Sequence, residues 1–191
     1  MRVLIAEDEA IIRMDLREML EEEGHEVVGE ARDGAEAVQL CGTLKPDIVF
    51  MDVKMPGTDG LTAARAIGET QTAPVVMVTA FSQASLVREA AEAGAMAYLV
   101  KPFSKADIMP AMEVAVSRFA EMRALADEVA DLGERLETRK AVERAKGVLM
   151  ARGLSEADAF RRLQKLAMDK RRPLREIAEA VVLASEAEAG G

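Results

Sequence analysis

The stretch Ile48-Val49-Phe50-Met51-Asp52-Val53-Lys54-Met55-Pro56-Gly57-Thr58-Asp59-Gly60 decides the fold. It opens as a continuous apolar run, the signature of a strand buried on both faces. The run stops at a carboxylate, and a segment of helical length begins at Gly60. The same device recurs along the chain: Val3-Leu4-Ile5 leads to Glu7 and Asp8, Val75-Val76-Met77-Val78 to Thr79, and Tyr98-Leu99-Val100 to Lys101. If these runs are neighbouring parallel strands, their carboxyl ends share one edge of the sheet, where open α/β sheets bind ligands. Three carboxylates, a hydroxyl and an ammonium then converge on one crevice.

Working outward, the pattern up to about residue 117 alternates β-rich runs with helical segments. Strands are predicted at Arg2 to Ala6, Glu26 to Ala31, Asp47 to Met51, Val75 to Val78 and Ala97 to Val100. Helices are predicted at Ala10 to Glu23 closed by Gly24, Gly34 to Leu44, Gly60 to Gly68, Ser82 to Ala93 closed by Gly94, and from Ser104 onward. Five such βα units imply an α/β fold, a doubly wound five-stranded parallel sheet with helices on both faces. Periodicity does not give the strand order.

Beyond Phe103 the pattern is helical throughout. Ser104 is a suitable N-cap, and Met122, Leu125, Val129, Leu132 and Leu136 recur at alternating spacings of three and four, a short heptad seam. The seam fits either the protein's own surface or a second copy. Gly133 weakens it by about 1 kcal/mol relative to Ala, and Pro110 removes one helical hydrogen bond. The long helix continues through Ala141, Ala145, Val148 and Leu149 to Arg152 and stops at Gly153. Ser155 with Asp158 opens a second helix and Pro173 a third, giving a small three-helix all-α domain. The predicted layout is a first domain over 1–118, a helical linker over 119–136 and a second domain over 125–186 that overlaps it.

The net charge of −9 is unevenly spread. Up to Phe119 the chain has 11 Lys and Arg against 20 Asp and Glu, whereas Arg135 to Arg175 has 13 against 5. A basic segment of this kind suits a polyanion. Its candidate contacts are Arg139, Lys140, Arg144, Lys146, Arg161, Arg162, Lys165, Arg171 and Arg172, although solvated helix faces carry such charges too. Phe160 is the one aromatic in this part and sits on the apolar stripe, so it reads as structural. No apolar stretch approaches the roughly 18 residues of a membrane span, and no signal peptide opens the sequence, so the expected location is cytoplasmic. A lone Cys41 reads as a small core residue, and His25 beside Gly24 as a solvated loop residue.

Clustered carboxylates raise one another's pKa and call for a cation. Hard oxygen ligands left partly open favour Mg2+. With it bound, Asp52 stays ionised and can attack a phosphoryl group, while Thr79 and Lys101 hold the phosphoryl oxygens.

These residues closely resemble the receiver domain of bacterial two-component response regulators. The motif pieces Leu4-Ile5-Ala6-Glu7-Asp8-Glu9, Met51-Asp52-Val53-Lys54-Met55-Pro56 through Asp59-Gly60, Val78-Thr79-Ala80 and Lys101-Pro102-Phe103 stand in the family's order and spacing. The resemblance implies a flavodoxin-like fold in which Asp52 accepts a phosphoryl group from a sensor histidine kinase. It implies Mg2+ held by Glu7, Asp8, Asp52 and the carbonyl of Lys54, and a cis Lys101-Pro102 peptide. Thr79, Lys101 and Tyr98 are implied as switch residues, although a tyrosine at a sheet edge also serves as plain packing.

The tail from about Leu125 to Val182 is similar to the ANTAR domain, the RNA-binding output module of antitermination regulators. Arg139, Val142, Glu143, Ala145, Lys146, Gly147, Leu149 and Met150 carry that resemblance, followed by Ala159-Phe160, Leu163, Ala167-Met168 and Ala178. Together the two halves resemble the actinobacterial family of phosphorylation-dependent transcriptional antitermination regulators. The implied partners are the kinase, stem-loops in nascent transcripts and, on phosphorylation, a second copy of the chain; no membrane is implied. The reading is a regulator that prevents transcription termination, not an enzyme beyond its own phosphorylation and dephosphorylation. The alternative is a receiver with a helical protein-docking output domain.

Overall fold

In the computed structural model, residues 1–80 and 84–189 are described, those at 84–87 and 188–189 for their backbone alone. The strands are β1 (Arg2–Ala6), β2 (Glu26–Ala31), β3 (Ile48–Asp52), β4 (Val75–Thr79) and β5 (Ala97–Val100). The helices are α1 (Ala10–Glu22), α2 (Gly34–Leu44), α3 (Gly60–Thr70), α4 (Ala84–Glu92), α5 (Lys105–Ala151), α6 (Glu156–Lys170) and α7 (Leu174–Ala189). Every predicted strand is present within a residue of its expected ends. The predicted start of the fourth helix at Ser82 lies outside the described residues. The chain divides into two compact units, Met1–Ala124 and Leu125–Gly191.

The strands of the first unit form one parallel sheet in the order β2-β1-β3-β4-β5, the flavodoxin-like arrangement. The chain leaves β1 toward β2 on one side and returns to β3 on the other, which makes the carboxyl ends of β1 and β3 the topological switch point. Alternation along the strands supplies both cores. Val3, Ile5, Ile48, Phe50, Val76, Val78 and Leu99 pack against Leu16 and Leu20 of α1 and Ile108, Met112 and Ala115 of α5. On the other face Leu4, Ala6, Val49, Met51, Val75 and Met77 pack against α2, α3 and α4 through residues such as Ala37, Cys41, Ala63, Ile67, Ala90 and Ala93. Cys41 is buried as expected, and burial pushes its thiol up to about 11, so it stays protonated and inert.

His25 departs from its expected solvated state. Its Nε2 is enclosed without a partner, and its Nδ1 lies 3.4 Å from the N-terminal amine. Burial first, and then that ammonium, lower its pKa. Ser104 precedes α5 without the expected side-chain cap: its N and Oγ both donate to Asp107 Oδ2, at 2.9 and 2.6 Å. Gly133 and Pro110 both lie within the continuous 47-residue α5.

In the second unit, Val142, Ala145 and Leu149 of α5 meet Ala159 and Leu163 of α6 and Ile177 and Ala178 of α7. Ser155 caps α6, accepting from Asp158 N at 3.2 Å. Among the described residues no helix is long and apolar enough to cross a membrane.

Candidate functional site

Sheet register brings the predicted residues together. Asp52 pairs with Val78 across β3 and β4, Thr79 pairs with Val100 across β4 and β5, and Ala6 lies level with Met51. The residues just beyond, Glu7, Asp8 and Lys101, therefore emerge at the same edge. The backbone keeps pairing past the strand ends: Val53 N donates to Val78 O at 3.0 Å and Lys101 N to Thr79 O at 2.8 Å. The Lys101-Pro102 peptide is cis, as the resemblance implied.

Glu7, Asp8 and Asp52 each place a carboxylate oxygen within 4.8 Å of the other two. Lys101 Nζ lies 2.7 Å from Glu7 Oε2 and 3.2 Å from Asp52 Oδ1. Glu7, Asp52 and Thr79 are buried, whereas Asp8 is exposed. A cavity of about 190 Å3 opens over the group, lined by Asp8, Glu9, Asp52, Val53, Lys54, Thr79, Ala80 and Lys101.

The electrostatics follow from this crowding. Burial holds the Asp52 carboxyl above its ordinary value against the pull of Lys101, and the charge of Asp8 adds to the rise. Burial likewise raises Glu7 despite its contact with Lys101, with Asp52 reinforcing the effect. Burial opposes the charge on Lys101, but the bond to Glu7 and the field of Asp52 outweigh it and hold the ammonium above its ordinary value. Three carboxylates and one ammonium leave two negative charges uncompensated. All three carboxylates offer hard oxygens, and Asp8 and Asp52 line an open cavity, which fits a partly hydrated Mg2+.

Tyr98 is half exposed on β5. Sequence reasoning missed Arg13, which is buried behind the acidic pair: its Nη1 donates to the carbonyl of Glu7 at 2.6 Å. A signal was present, since Arg13 interrupts the apolar stripe of α1 one turn before Leu16.

The basic residues of the second unit fall into two groups. Arg139, Arg162, Lys165 and Arg171 are exposed and carry no ion pair among the described residues. Lys140, Arg161 and Arg172 are exposed but bridge to Glu137, Asp158 and Glu176, and Arg144 is exposed beside Lys140. Lys146 differs from all of these. It is buried, and its ammonium lies 3.0 Å from Glu143 and 2.5 Å from Glu156. Its chemistry here is that of a clamp between α5 and α6. Leu125, Val129, Leu132 and Leu136 are all more than half exposed.

Comparison with known proteins accounts for both units. The response regulator receiver domain model matches residues 3–113, and the ANTAR domain model residues 130–182. The chain is 62% identical to the transcriptional regulatory protein PdtaR of Mycobacterium tuberculosis over 182 residues, covering 95% of this chain and 89% of the relative. It is 41% identical to the chemotaxis protein CheY of Thermotoga maritima over 112 residues, covering 58% of this chain and 93% of the relative. Among solved structures, the Borrelia burgdorferi CheX–CheY–BeF3–Mg2+ complex matches with a TM-score of 0.56 and 31% identity, over 62% of this chain and 88% of that one. A receiver sheet whose strand ends gather Glu7, Asp8, Asp52, Thr79 and Lys101, followed by a matched ANTAR domain, makes this chain a member of the response regulator family, of the PdtaR type.

Proposed function

We propose that the chain is a two-component response regulator that accepts a phosphoryl group on Asp52 and answers by binding RNA stem-loops, so preventing transcription termination. The observation that carries the first half is the cluster of the Glu7, Asp8 and Asp52 carboxylates beside Lys101, with Asp8, Asp52, Thr79 and Lys101 lining one small cavity. An oxygen of Asp52 forms a bond to phosphorus as the donor's bond from histidine nitrogen to phosphorus breaks. Glu7, Asp8, Asp52 and the Lys54 carbonyl would hold Mg2+, which when bound neutralises the charge of the phosphoryl oxygens. Lys101 and the Thr79 hydroxyl then pair with those oxygens, and Tyr98 on the neighbouring strand answers the movement of Thr79. The BeF3 and Mg2+ in the name of the Borrelia CheY complex support this reading.

The RNA half rests on the ANTAR match and on exposed cations that have no carboxylate partner among the described residues. Arg162 and Lys165 lie one turn apart on α6 and are the best placed for backbone phosphates. Replacing both with Glu is expected to weaken stem-loop binding at least tenfold and to reduce the slope of log affinity against log salt by roughly 2. The check is a fluorescence anisotropy titration at several salt concentrations. Unchanged affinity and slope would favour the protein-docking alternative.

The exposed seam at Leu125, Val129, Leu132 and Leu136 fits a second copy, because contiguous apolar surface of this kind marks an interaction site. Phosphorylated chain is expected to sediment as a dimer at concentrations where the unphosphorylated chain is a monomer. Val129→Asp with Leu132→Asp should keep it monomeric without lowering its melting temperature, since neither side chain supports the folded core.

A further inference from the structure

Arg13 sits behind the acidic pair rather than beside it. It is 8% exposed, on the core-facing side of α1. Its Nη1 donates to the carbonyl of Glu7 at 2.6 Å and reaches the carbonyl of Asp8 at 3.4 Å, while its Nε donates to Glu30 Oε2 at 2.9 Å. Glu30, at the end of β2, is held in turn by Arg17, whose Nη1 lies 2.6 Å from Glu30 Oε1. Arg17 also donates to Glu21 at 2.8 Å. One guanidinium thus ties the loop after β1 to the adjacent strand.

The loop needs such a tie. Two of the three clustered carboxylates belong to consecutive residues, Glu7 and Asp8, just past the end of β1. The like charge of Asp52 pushes on both. Glu7 N donates to Ala31 O at 3.1 Å, but its carbonyl lies beyond the β1–β2 ladder. A buried carbonyl left without a donor is destabilising, and a loop free to relax would let the carboxylates separate. The guanidinium satisfies the carbonyl, and Glu30 compensates its charge, so the loop is fixed without a net charge added beside the cation site.

We infer that Arg13 is a positioning residue for the divalent-cation site, with Glu30 as the anchor that orients it. Arg13 acts through the backbone of Glu7 and Asp8 and touches neither cation nor phosphoryl group. The inference rests on the reading of Glu7, Asp8 and Asp52 as an Mg2+ site. Outer groups that orient metal ligands typically contribute 10–100-fold to metal affinity, and that is the scale expected here.

The test is calorimetric titration of the full chain with Mg2+, alongside thermal melting, for wild type, Arg13→Ala, Arg13→Lys, Glu30→Gln, Arg17→Ala and Asp8→Asn. Arg13→Ala is expected to bind Mg2+ 10–100-fold more weakly at a temperature where melting shows it folded. Arg13→Lys, which can still donate to the Glu7 carbonyl, should recover part of the loss and serves as the folded variant if the alanine chain does not fold. Glu30→Gln should lose less than Arg13→Ala, because its amide oxygen still accepts from Nε. Arg17→Ala, which touches Glu30 but not the loop, should stay within twofold of wild type. Equal Mg2+ affinity in wild type and folded Arg13 variants overturns the inference, as does an equal loss in Arg17→Ala. If Asp8→Asn also binds like wild type, the cation reading itself has failed, a result separable from failure of the Arg13 role alone.

Discussion

Asp52→Asn is expected to abolish phosphoryl uptake and to leave the metal-free chain at least as stable as the wild type. The loss should be complete because the proposed attacking atom is a carboxylate oxygen, and an amide oxygen in the same place is too weak a nucleophile to replace it. The gain in stability has a different source. Asp52 is buried within reach of Glu7 and Asp8, and Lys101 opposes their mutual repulsion. Removing one charge relieves that repulsion while the amide oxygen still faces the ammonium. The expected rise is a few degrees in melting temperature, about 1 kcal/mol.

The pH dependence carries a matching sign. Asp52 and Glu7 have raised pKa values in the folded chain, burial being the largest cause. The folded state therefore binds more protons than the unfolded state just above the ordinary carboxylate range, and metal-free stability falls as the pH rises through that window. Asp52→Asn should flatten this fall, and saturating Mg2+ should do the same in the wild type. Phosphate-affinity gel electrophoresis after incubation with a small-molecule phosphodonor checks the first effect, and melting across pH checks the second. A shifted band in the Asn variant would move the acceptor to another residue.

Among the described glycines, an added Cβ makes its closest approach to another atom at Gly60, so Gly60→Ala is expected to be strongly disruptive. Alanine in a helix is ordinarily better than glycine by about 1 kcal/mol, and Gly60 has an ordinary helical φ. The sign is reversed by proximity: a Cβ at this position would lie 1.9 Å from the carbonyl oxygen of Asp52 and 2.9 Å from its carbonyl carbon. Both are backbone atoms of a central strand and cannot swing away. Gly60 N also donates to Val53 O at 3.1 Å, so α3 begins flush against the end of the strand that carries Asp52. Relief requires α3 or the end of β3 to shift, at a cost of about 3 kcal/mol. Displacement of Asp52 should slow phosphorylation in whatever fraction remains folded. Urea denaturation and phosphorylation rate measure the two effects; wild-type stability in the alanine variant would contradict the close approach.

Much of this was legible in the chain because four of the five strands lead directly into a candidate site residue. The run Ile48 to Met51 could only be a buried strand, and Asp52, Thr79 and Lys101 each follow such a run directly. What periodicity could not supply was the order β2-β1-β3-β4-β5, since pairing partners are set by contacts distant in sequence. Nor does a residue type announce a long-range bond: nothing local to Arg13 points to Glu30 on β2. The same holds for Lys146, which reads as one more cation in a basic helix until Glu143 and Glu156 close around it. The clash behind Gly60 was hidden for a related reason, because a close backbone approach leaves no mark except the missing side chain. In the tail, exposure separates Arg162 and Lys165 from Lys146, a distinction that charge patterning alone does not draw.

The most direct test of the central claim, that phosphorylation of one unit governs RNA binding by the other, is an affinity measurement. The full chain is titrated with a stem-loop RNA and a scrambled control, with and without beryllofluoride and Mg2+, in wild type and Asp52→Ala. Stem-loop binding is expected to tighten with the phosphoryl analogue in the wild type and not to respond to it in the variant. Equal affinity for both RNAs in every state, fading steeply with salt, would contradict it and leave the receiver coupled to a different output.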